Sequence, residues 1–402
     1  MKPWLSVIGI GEDGLPGLSA AARTLVETAE TLVGGARHLA MVAPGNAERL
    51  LWQHPLTDTL AAVSARRGSR VTVLASGDPL WYGVGTLLVR HFPREEMTIL
   101  PQPSAFSLAA ARLGWPIAEC AMLSLHGRPL DALRLHLAPQ RRSVLLSNDG
   151  STPRQVARLL TGLGWGPSRL TVFEHLGGRR EAMLSDEAQN WGERQTADLN
   201  TIALECRAGP TARPLSRIGG LPDDAFEHDG QLTKREMRAI TLASLAPLPG
   251  ESLWDIGAGC GSVAIEWLRA SAGGSAVAIE RQPDRAAMIA RNAAALGVPC
   301  LRIVAGVAPQ ALAGLEPPDA IFVGGGIGEP ELLPGLWNAL RPGGRLVANV
   351  VSLAGERVLL DWQPRCGGTL IRIAVSRAEP LGTQQAWRPL LPVTQFVVTK
   401  PR

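Results

Sequence analysis

The chain has 402 residues, 46% hydrophobic and 19% charged, with 40 basic residues against 36 acidic ones and a formal net charge of +4. That length holds two domains, or three, each with its own core. There is no apolar run of 18 residues, which excludes a helical membrane span, and so small a net charge gives no footing for nucleic-acid binding.

The N-terminus, MKPWLSVIGIGEDG, runs straight into a strand with no signal-peptide pattern. The five cysteines (Cys120, Cys206, Cys260, Cys300, Cys366) contain no C-x-x-C pair. That argues against a disulfide framework or a zinc site and fits a reducing cytoplasm. Only three of the basic residues are lysines, at 2, 234 and 400. The arginine bias suits planar carboxylate recognition, although a GC-rich genome is the favoured cause.

Residues 4–14, WLSVIGIGEDG, predict a strand entering a loop with a formal G-x-G-x-x-G at Gly9, Gly11 and Gly14. A dinucleotide site needs a helix starting at those glycines and an acid at the next strand end. Leu15-Pro16-Gly17 delays the helix, and the strand near TLVGG ends in Gly34 and Gly35. Residues 69–85 predict a buried strand ending in Ser76-Gly77-Asp78-Pro79, followed by Gly83 and Gly85 at a turn or helix start. Such carboxyl strand edges are where open α/β sheets hold ligands. Next come a strand at 97–100, then Pro101-Gln102-Pro103-Ser104 and an Ala-rich helix. Ser104 reads as its N-cap or as a ligand contact. A strand, turn and helix with Pro153 in its first turn follow at 141–160, then strands within 169–183 and 196–207. The Pro- and Gly-rich stretch 207–224 reads as a linker, giving domains 1–211 and 212–402.

In the second half, LTKREMRAITLASL has helical apolar spacing, with Thr233 and Glu236 placed as a capping box. The segment 253–268, LWDIGAGCGSVAIEWL, predicts a strand, a turn with Gly257, Gly259 and Gly261, and a helix. Glycines there let backbone N–H groups approach a ligand, and the helix start adds free donors. The acid before them, Asp255, repels a pyrophosphate but can meet an ammonium group. Glu280 ends the following strand, SAVAIE, 25 residues beyond Asp255, where a carboxylate takes both hydroxyls of a ribose. An ammonium and a ribose without phosphate describe S-adenosylmethionine (SAM). Further strands are predicted within 301–312, 318–329 and 343–351, with a final pair near 369–376 and 394–400.

The run DIGAGCGS resembles motif I of the class I SAM-dependent methyltransferases. GIGEDG, SGDP with Gly83, PQPSAF, FEHLGG and NTIAL, in that order across residues 1–207, resemble the tetrapyrrole (class III) methylases. P-D-D-x-F, L-T-K-R-E, A-P-Q-A-L and V-G-G-G-I-G-E look like the decarboxylating precorrin methylase domain. The fused chain therefore resembles the decarboxylating precorrin methyltransferases of cobalamin (vitamin B12) biosynthesis. The resemblance implies an α/β chain with a class III tetrapyrrole methylase fold, of two α/β subdomains, followed by a Rossmann-like class I fold. It implies methylation of meso carbons 5 and 15 and loss of CO2 from the ring C acetate, with decarboxylation and one methylation in the second half.

Two SAM sites are then expected. The first would use Gly9, Gly11, Gly77, Asp78, Gly83 and Ser104. The second would use Thr233, Asp255, Gly257, Ala258, Gly259, Cys260, Gly261 and Glu280, with Gly306, Val307 and Ala308 at the adenine. The acid common at that adenine position is absent. Cys260 reads as a small turn residue rather than a nucleophile. Arg235 and Arg238, beside the Thr233 helix start, are candidates to hold substrate carboxylates, or are merely solvated. Gly325 and Gly326 are candidates to approach a flat ring, or belong to an ordinary loop. No triad is expected and no catalytic residue is assigned; His54, His126 and His175 are scattered. The partners expected are an acidic tetrapyrrole and further copies of the chain, tetramers being known among related second-half domains, with no nucleic acid, membrane or metal. The alternatives are a SAM-dependent methyltransferase of another small molecule or nucleic acid, a SAM-binding regulator and, last, an NAD oxidoreductase. A base-amino methylase would carry Asn/Asp-Pro-Pro-aromatic where this chain has VGGGIGEP.

Overall fold

The computed structural model describes residues 3–402. The chain forms two compact units, one reaching to Leu130 and including Ala138–Arg213, the other comprising Asp131–Leu137 and Pro214–Arg402.

The first unit opens with a parallel sheet of β1 (Leu5–Ile10), β2 (Thr31–Gly34), β3 (Glu48–Leu51), β4 (Val71–Ser76) and β5 (Met97–Leu100). The order is β3-β2-β4-β1-β5. All six residues of β1 are buried, as expected of a parallel strand covered on both faces. A mixed sheet follows, with β6 (Cys120–Ser124), β7 (Arg142–Leu146), β8 (Arg169–Glu174), β9 (Ala182–Glu187) and β10 (Asn200–Glu205) in the order β6-β7-β10-β8-β9. The sequence did not announce β3, β6 or β9. Each is an edge strand, β3 largely and β9 partly open to solvent, so none carries the continuous apolar run of a central strand. Helix α1 (Ala20–Glu27) begins only after the Leu15–Gly17 turn. The helices α2 (Ala36–Ala40), α3 (Leu56–Ser64), α4 (Gly85–His91), α5 (Ala105–Leu113) and α6 (Thr152–Gly162) complete the unit, α6 with Pro153 in its first turn.

The second unit is a seven-stranded sheet built from β11 (Ser252–Ile256), β12 (Ser275–Glu280), β13 (Arg302–Ala305), β14 (Ala320–Val323), β15 (Arg345–Val350), β16 (Thr369–Ile373) and β19 (Val393–Thr399). A hairpin of β17 (Ser376–Leu381) and β18 (Gln384–Pro389) stands between the last two. The order is β13-β12-β11-β14-β15-β19-β16, parallel from β13 to β15 and antiparallel beyond. Helices α7 (Arg235–Leu245), α8 (Ser262–Ala270), α9 (Pro283–Ala295), α10 (Leu332–Ala339) and α11 (Leu353–Cys366) accompany it. Alternate residues of β11 enter different cores: Leu253 packs with Trp267 and Leu245, while Trp254 and Ile256 pack with Leu336 and Phe396. The strand order reverses between β11 and β14, which opens a crevice at their carboxyl ends.

Two features depart from expectation. The capping box at Thr233 and Glu236 does not form: α7 is entered through Lys234, with no side-chain cap. Glu236 instead accepts from Arg377, and the Thr233 carbonyl accepts from Arg238. The hairpin β17–β18 was not foreseen, because its residues are mostly exposed and carry no apolar alternation. Among the described residues no helix is long and apolar enough to cross a membrane.

Candidate active site

The glycine turn of the second unit follows β11 directly. Gly257, Gly259 and Gly261 have φ of +69°, +60° and +80°, a region that other residues enter only at a cost. A Cβ on Gly257 would lie 2.9 Å from the Gly325 Cα, so this turn and the loop after β14 can meet only as bare backbone. Around that meeting point is a cavity of about 880 Å³. Its wall includes Gly257, Ala258 and Gly259, Glu280 at the end of β12, Gly306, Val307 and Ala308 after β13, Gly325 and Gly326, and Thr233 and Lys234. Glu280 is fixed from two sides: Oε2 accepts from Gly259 N at 2.9 Å and Oε1 from Gln282 N at 3.0 Å. Each oxygen keeps lone-pair capacity for a further donor.

Three expected cofactor residues lie behind this wall rather than on it. Asp255 is 1% exposed, and its Oδ2 accepts from Ala264 N at 3.0 Å, which caps the start of α8. Its Oδ1 is buried with no hydrogen-bond partner among the described residues. Burial pushes this carboxyl up to about 7, the Ala264 N–H opposes the shift, and the nearby Glu280 adds to it. Cys260 is buried, and its carbonyl accepts from Asn292 Nδ2. Burial also raises its thiol, which removes it as a nucleophile. A Cβ on Gly261 would meet the Ile289 side chain at 2.8 Å, so that glycine serves helix packing.

The arginine expectations are also corrected. Arg238 is 0% exposed. Its Nε donates to Glu266 Oε1 at 2.6 Å, Nη1 to the Thr233 carbonyl and Asp223, and Nη2 to the Leu221 carbonyl. Glu266 also accepts from Gly220 N at 2.6 Å and Leu221 N at 2.9 Å. All three Arg238 nitrogens are thus engaged in holding the strap before α7, and the side chain is sealed away from any substrate. Arg235 is exposed, binds the Gly220 carbonyl at 2.9 Å and is not on the cavity wall. Their neighbour Lys234 does reach the wall and has no ion-pair partner among the described residues; Arg281 and Arg285 reach it as well, Arg285 paired with Asp229 at 2.8 Å. The signal for Lys234 was a rare lysine in an arginine-rich chain. Also missed were Asn349 on the wall and Gln395 behind it, whose signal is a carboxamide inside each apolar strand. Segments flanking the hairpin add Ile373, Val375, Leu390 and Val393 to the wall. The hairpin is tied down by Arg377, whose Nη2 donates to Glu236 Oε2 at 2.6 Å and to Asp223 Oδ2 at 3.1 Å.

In the first unit the expected residues gather at the carboxyl ends of β1, β4 and β5, where neighbouring loops press on one another. A Cβ on Gly9 would run into the Gly77 carbonyl and lie 2.7 Å from Gln102 N. A Cβ on Gly77 would sit 2.8 Å from the Ser104 Cα, and one on Gly83 would sit 2.6 Å from the Pro79 carbonyl oxygen. A Cβ on Gly11 would lie 2.6 Å from Asp13 Oδ1. Ser104 is buried and caps α5 by accepting from Ser107 N. Asp78 is half-buried, and its Oδ1 accepts from Leu80 N at 2.9 Å. Beside them Arg37 links Glu12 to Ser76. His38, held down to about 4 by burial and then by Arg37, is neutral near pH 7.

Comparison with known proteins finds relatives for both halves of the sequence. A family described as Tetrapyrrole (Corrin/Porphyrin) Methylases matches residues 5–190, and one described as Precorrin methyltransferase domain matches residues 224–400. A curated relative from Sinorhizobium sp., named precorrin-6Y C(5,15)-methyltransferase (decarboxylating), is 49% identical over 403 residues. The match covers 100% of this chain and 97% of the relative. The chain belongs to the precorrin-6Y C(5,15)-methyltransferase (decarboxylating) family. A second member, from Mycobacterium tuberculosis, is 42% identical over 98% of this chain and 99% of its own length. The solved C-terminal domain of the Rhodobacter capsulatus precorrin-6Y C5,15-methyltransferase is 47% identical, covering 46% of this chain and 100% of that domain, with a TM-score of 0.44. Both halves anticipated from sequence, the tetrapyrrole methylase and the precorrin methylase, are thus matched by families of those descriptions.

Proposed function

We propose that this chain methylates precorrin-6Y at carbons 5 and 15 and removes CO2 from the ring C acetate, giving precorrin-8X in cobalamin biosynthesis. Decarboxylation and one methylation belong to the second unit and the other methylation to the first. The observation that carries this reading is Glu280, pinned by Gly259 N on the wall of a cavity at the sheet's switch point.

The residues present fit SAM. Glu280 offers acceptors for a ribose diol, and the bare Gly257 and Gly259 backbone permits close approach of a ligand. Gly306, Val307 and Ala308 offer backbone and apolar surface to an adenine. When bound, SAM supplies a methyl group already activated as a sulfonium. The protein's part is to align the acceptor carbon and exclude water. Asp255 sits under the turn as a buried carboxyl whose ionised form a cationic ligand favours. Lys234 provides a charge for a substrate carboxylate.

For the first unit, Gly9, Gly11, Gly77, Asp78, Gly83 and Ser104 mark the proposed second SAM site. Their support is the matching family and their shared place at the carboxyl strand edges. A homo-oligomer is proposed on the exposed apolar hairpin region, where Trp387 is 75% and Leu381 66% exposed; a monomeric mass by light scattering would sink it.

The deciding experiment is calorimetric titration of SAM into the full chain, with Glu280→Gln and Asp78→Ala variants alongside. Two sites are expected, one weakened by each variant. A single site would remove the two-centre reading, and heat from NAD without heat from SAM would overturn the assignment.

A further inference from the structure

β15 carries the sequence RLVANV, in which Leu346, Val347, Ala348 and Val350 are buried and Asn349 reaches the cavity wall. Behind Asn349 lies a chain of polar side chains drawn from α7 and β19. Asn349 Nδ2 donates to Thr241 Oγ1 at 2.8 Å, and Gln395 Nε2 donates to Asn349 Oδ1 at 2.9 Å. Gln395 Nε2 also lies 3.3 Å from Thr241 Oγ1, and Ser244 Oγ donates to Gln395 Oε1 at 2.8 Å. Thr241 and Gln395 are 0% exposed.

These bonds fix which way the Asn349 carboxamide faces. The Thr241 hydroxyl proton is spent on the Met237 carbonyl at 2.7 Å, so its oxygen can only accept. The group turned toward it must then be the Asn349 NH2, which leaves Oδ1 to accept from Gln395. The reversed orientation would set acceptor against acceptor and donor against donor. Buried polar groups are costly, and aliphatic side chains would fill the same space without that cost. What the network yields is one oriented amide whose second N–H is claimed by no partner among the described residues.

We propose that this N–H binds the acetate carboxylate that is lost as CO2, with Thr241 and Gln395 as positioning residues. The proposal rests on the precorrin reading of the second unit. In the step, the bond between the acetate CH2 carbon and its carboxylate carbon breaks. The electron pair stays on that carbon, conjugated into the macrocycle, CO2 leaves, and a proton from water returns to the carbon. The departing group passes from anion to neutral molecule. A cation paired with it would stabilise the starting state more than the transition state and slow the step. A neutral, rigid donor orients the carboxylate while stabilising its charge less. Lys234, a free cation on the same wall, suits a carboxylate that stays.

The test gives the full chain precorrin-6Y and SAM and weighs the products of wild type, Asn349→Ser and Asn349→Asp by mass spectrometry. SAM affinity is measured in parallel by calorimetry. The variants are expected to raise the ratio of methylated product that retains its CO2 by roughly ten- to hundredfold, the cost of losing the alignment of the breaking bond with the macrocycle. SAM affinity should stay within about twofold. Gln395→Met should shift the same ratio by less, through loss of orientation alone. An unchanged ratio in Asn349→Ser would overturn the proposal, as would equal losses of methylation and decarboxylation or a parallel loss of SAM affinity. Should Asn349→Asp fail to fold, Asn349→Ser decides alone. A wild type that forms no methylated product would overturn the functional reading along with it.

Discussion

The two glycine-rich loops of this chain look alike in sequence and answer to different demands. In the first unit, Gly9, Gly77 and Gly83 are needed because carbonyls and backbone of adjoining loops occupy the space of a side chain. In the second, Gly257 makes room for the Gly325 loop, and the pair also forms the wall of a large cavity. A G-x-G pattern therefore reports that backbone is close to something, and only the neighbouring acid, Glu280, says what the something is.

The largest expected effect tests whether the second unit depends on its buried ion pair. Arg238→Met leaves Glu266 charged and without its counter-ion, at a cost of about 3–5 kcal/mol. Hydrogen exchange should then show lost protection across Arg235–Ala270, with β1 and β4 of the first unit unchanged. Equal loss in both units would break the contrast drawn between them.

The second effect is a pH dependence confined to one loop. Asp255 is raised to about 7 from an ordinary 3.8, so the folded protein holds a proton there that the unfolded chain has released. Its stability is fully present below about 4 and falls as pH rises through about 7, by at most a few kcal/mol. Asp255→Asn keeps an oxygen for Ala264 N and should flatten that fall in denaturant titrations from pH 5 to pH 8. A fall of the same size in the variant would remove Asp255 as its source.

Gly9→Ala comes next. It overpacks the loop crossing at roughly 1–3 kcal/mol and should lower the first unit's stability while leaving Glu280-dependent SAM binding untouched. The smallest effect is that of Arg291→Ala. It removes an exposed, solvent-screened pair with Glu227 and should leave the denaturation midpoint unmoved.

Much of the fold was legible because buried parallel strands announce themselves: VTVLAS, SLWDI and AIFV are short apolar runs that end at glycine or a turn. The edge strands β3, β6 and β9 were not legible, since an edge half open to water need not be continuously apolar. In the candidate site, Gly257, Gly259 and Glu280 could be brought to one cavity wall from spacing alone, whereas Gly261 turned out to serve helix packing. Arg238 could not, because a charged residue on an amphipathic helix reads as solvated until its buried partner Glu266, 28 residues away, is brought against it. Thr233 and Glu236 met the spacing rule for a cap, yet Arg377, 141 residues beyond Glu236, takes the carboxylate. Local pattern cannot see such a competitor.

Arg377 has a further consequence. Its pairs with Glu236 and Asp223 join the hairpin to α7 at a partly exposed position, whereas Arg238 and Glu266 are sealed from solvent. Mobile ions at 0.1 M act over a Debye length of about 10 Å and reach the first pairing far more readily than the second. Rising ionic strength should therefore loosen the hairpin beside the cavity while the strap before α7 stays set. The enzyme then has a hairpin that responds to the salt of its surroundings and a strap that does not.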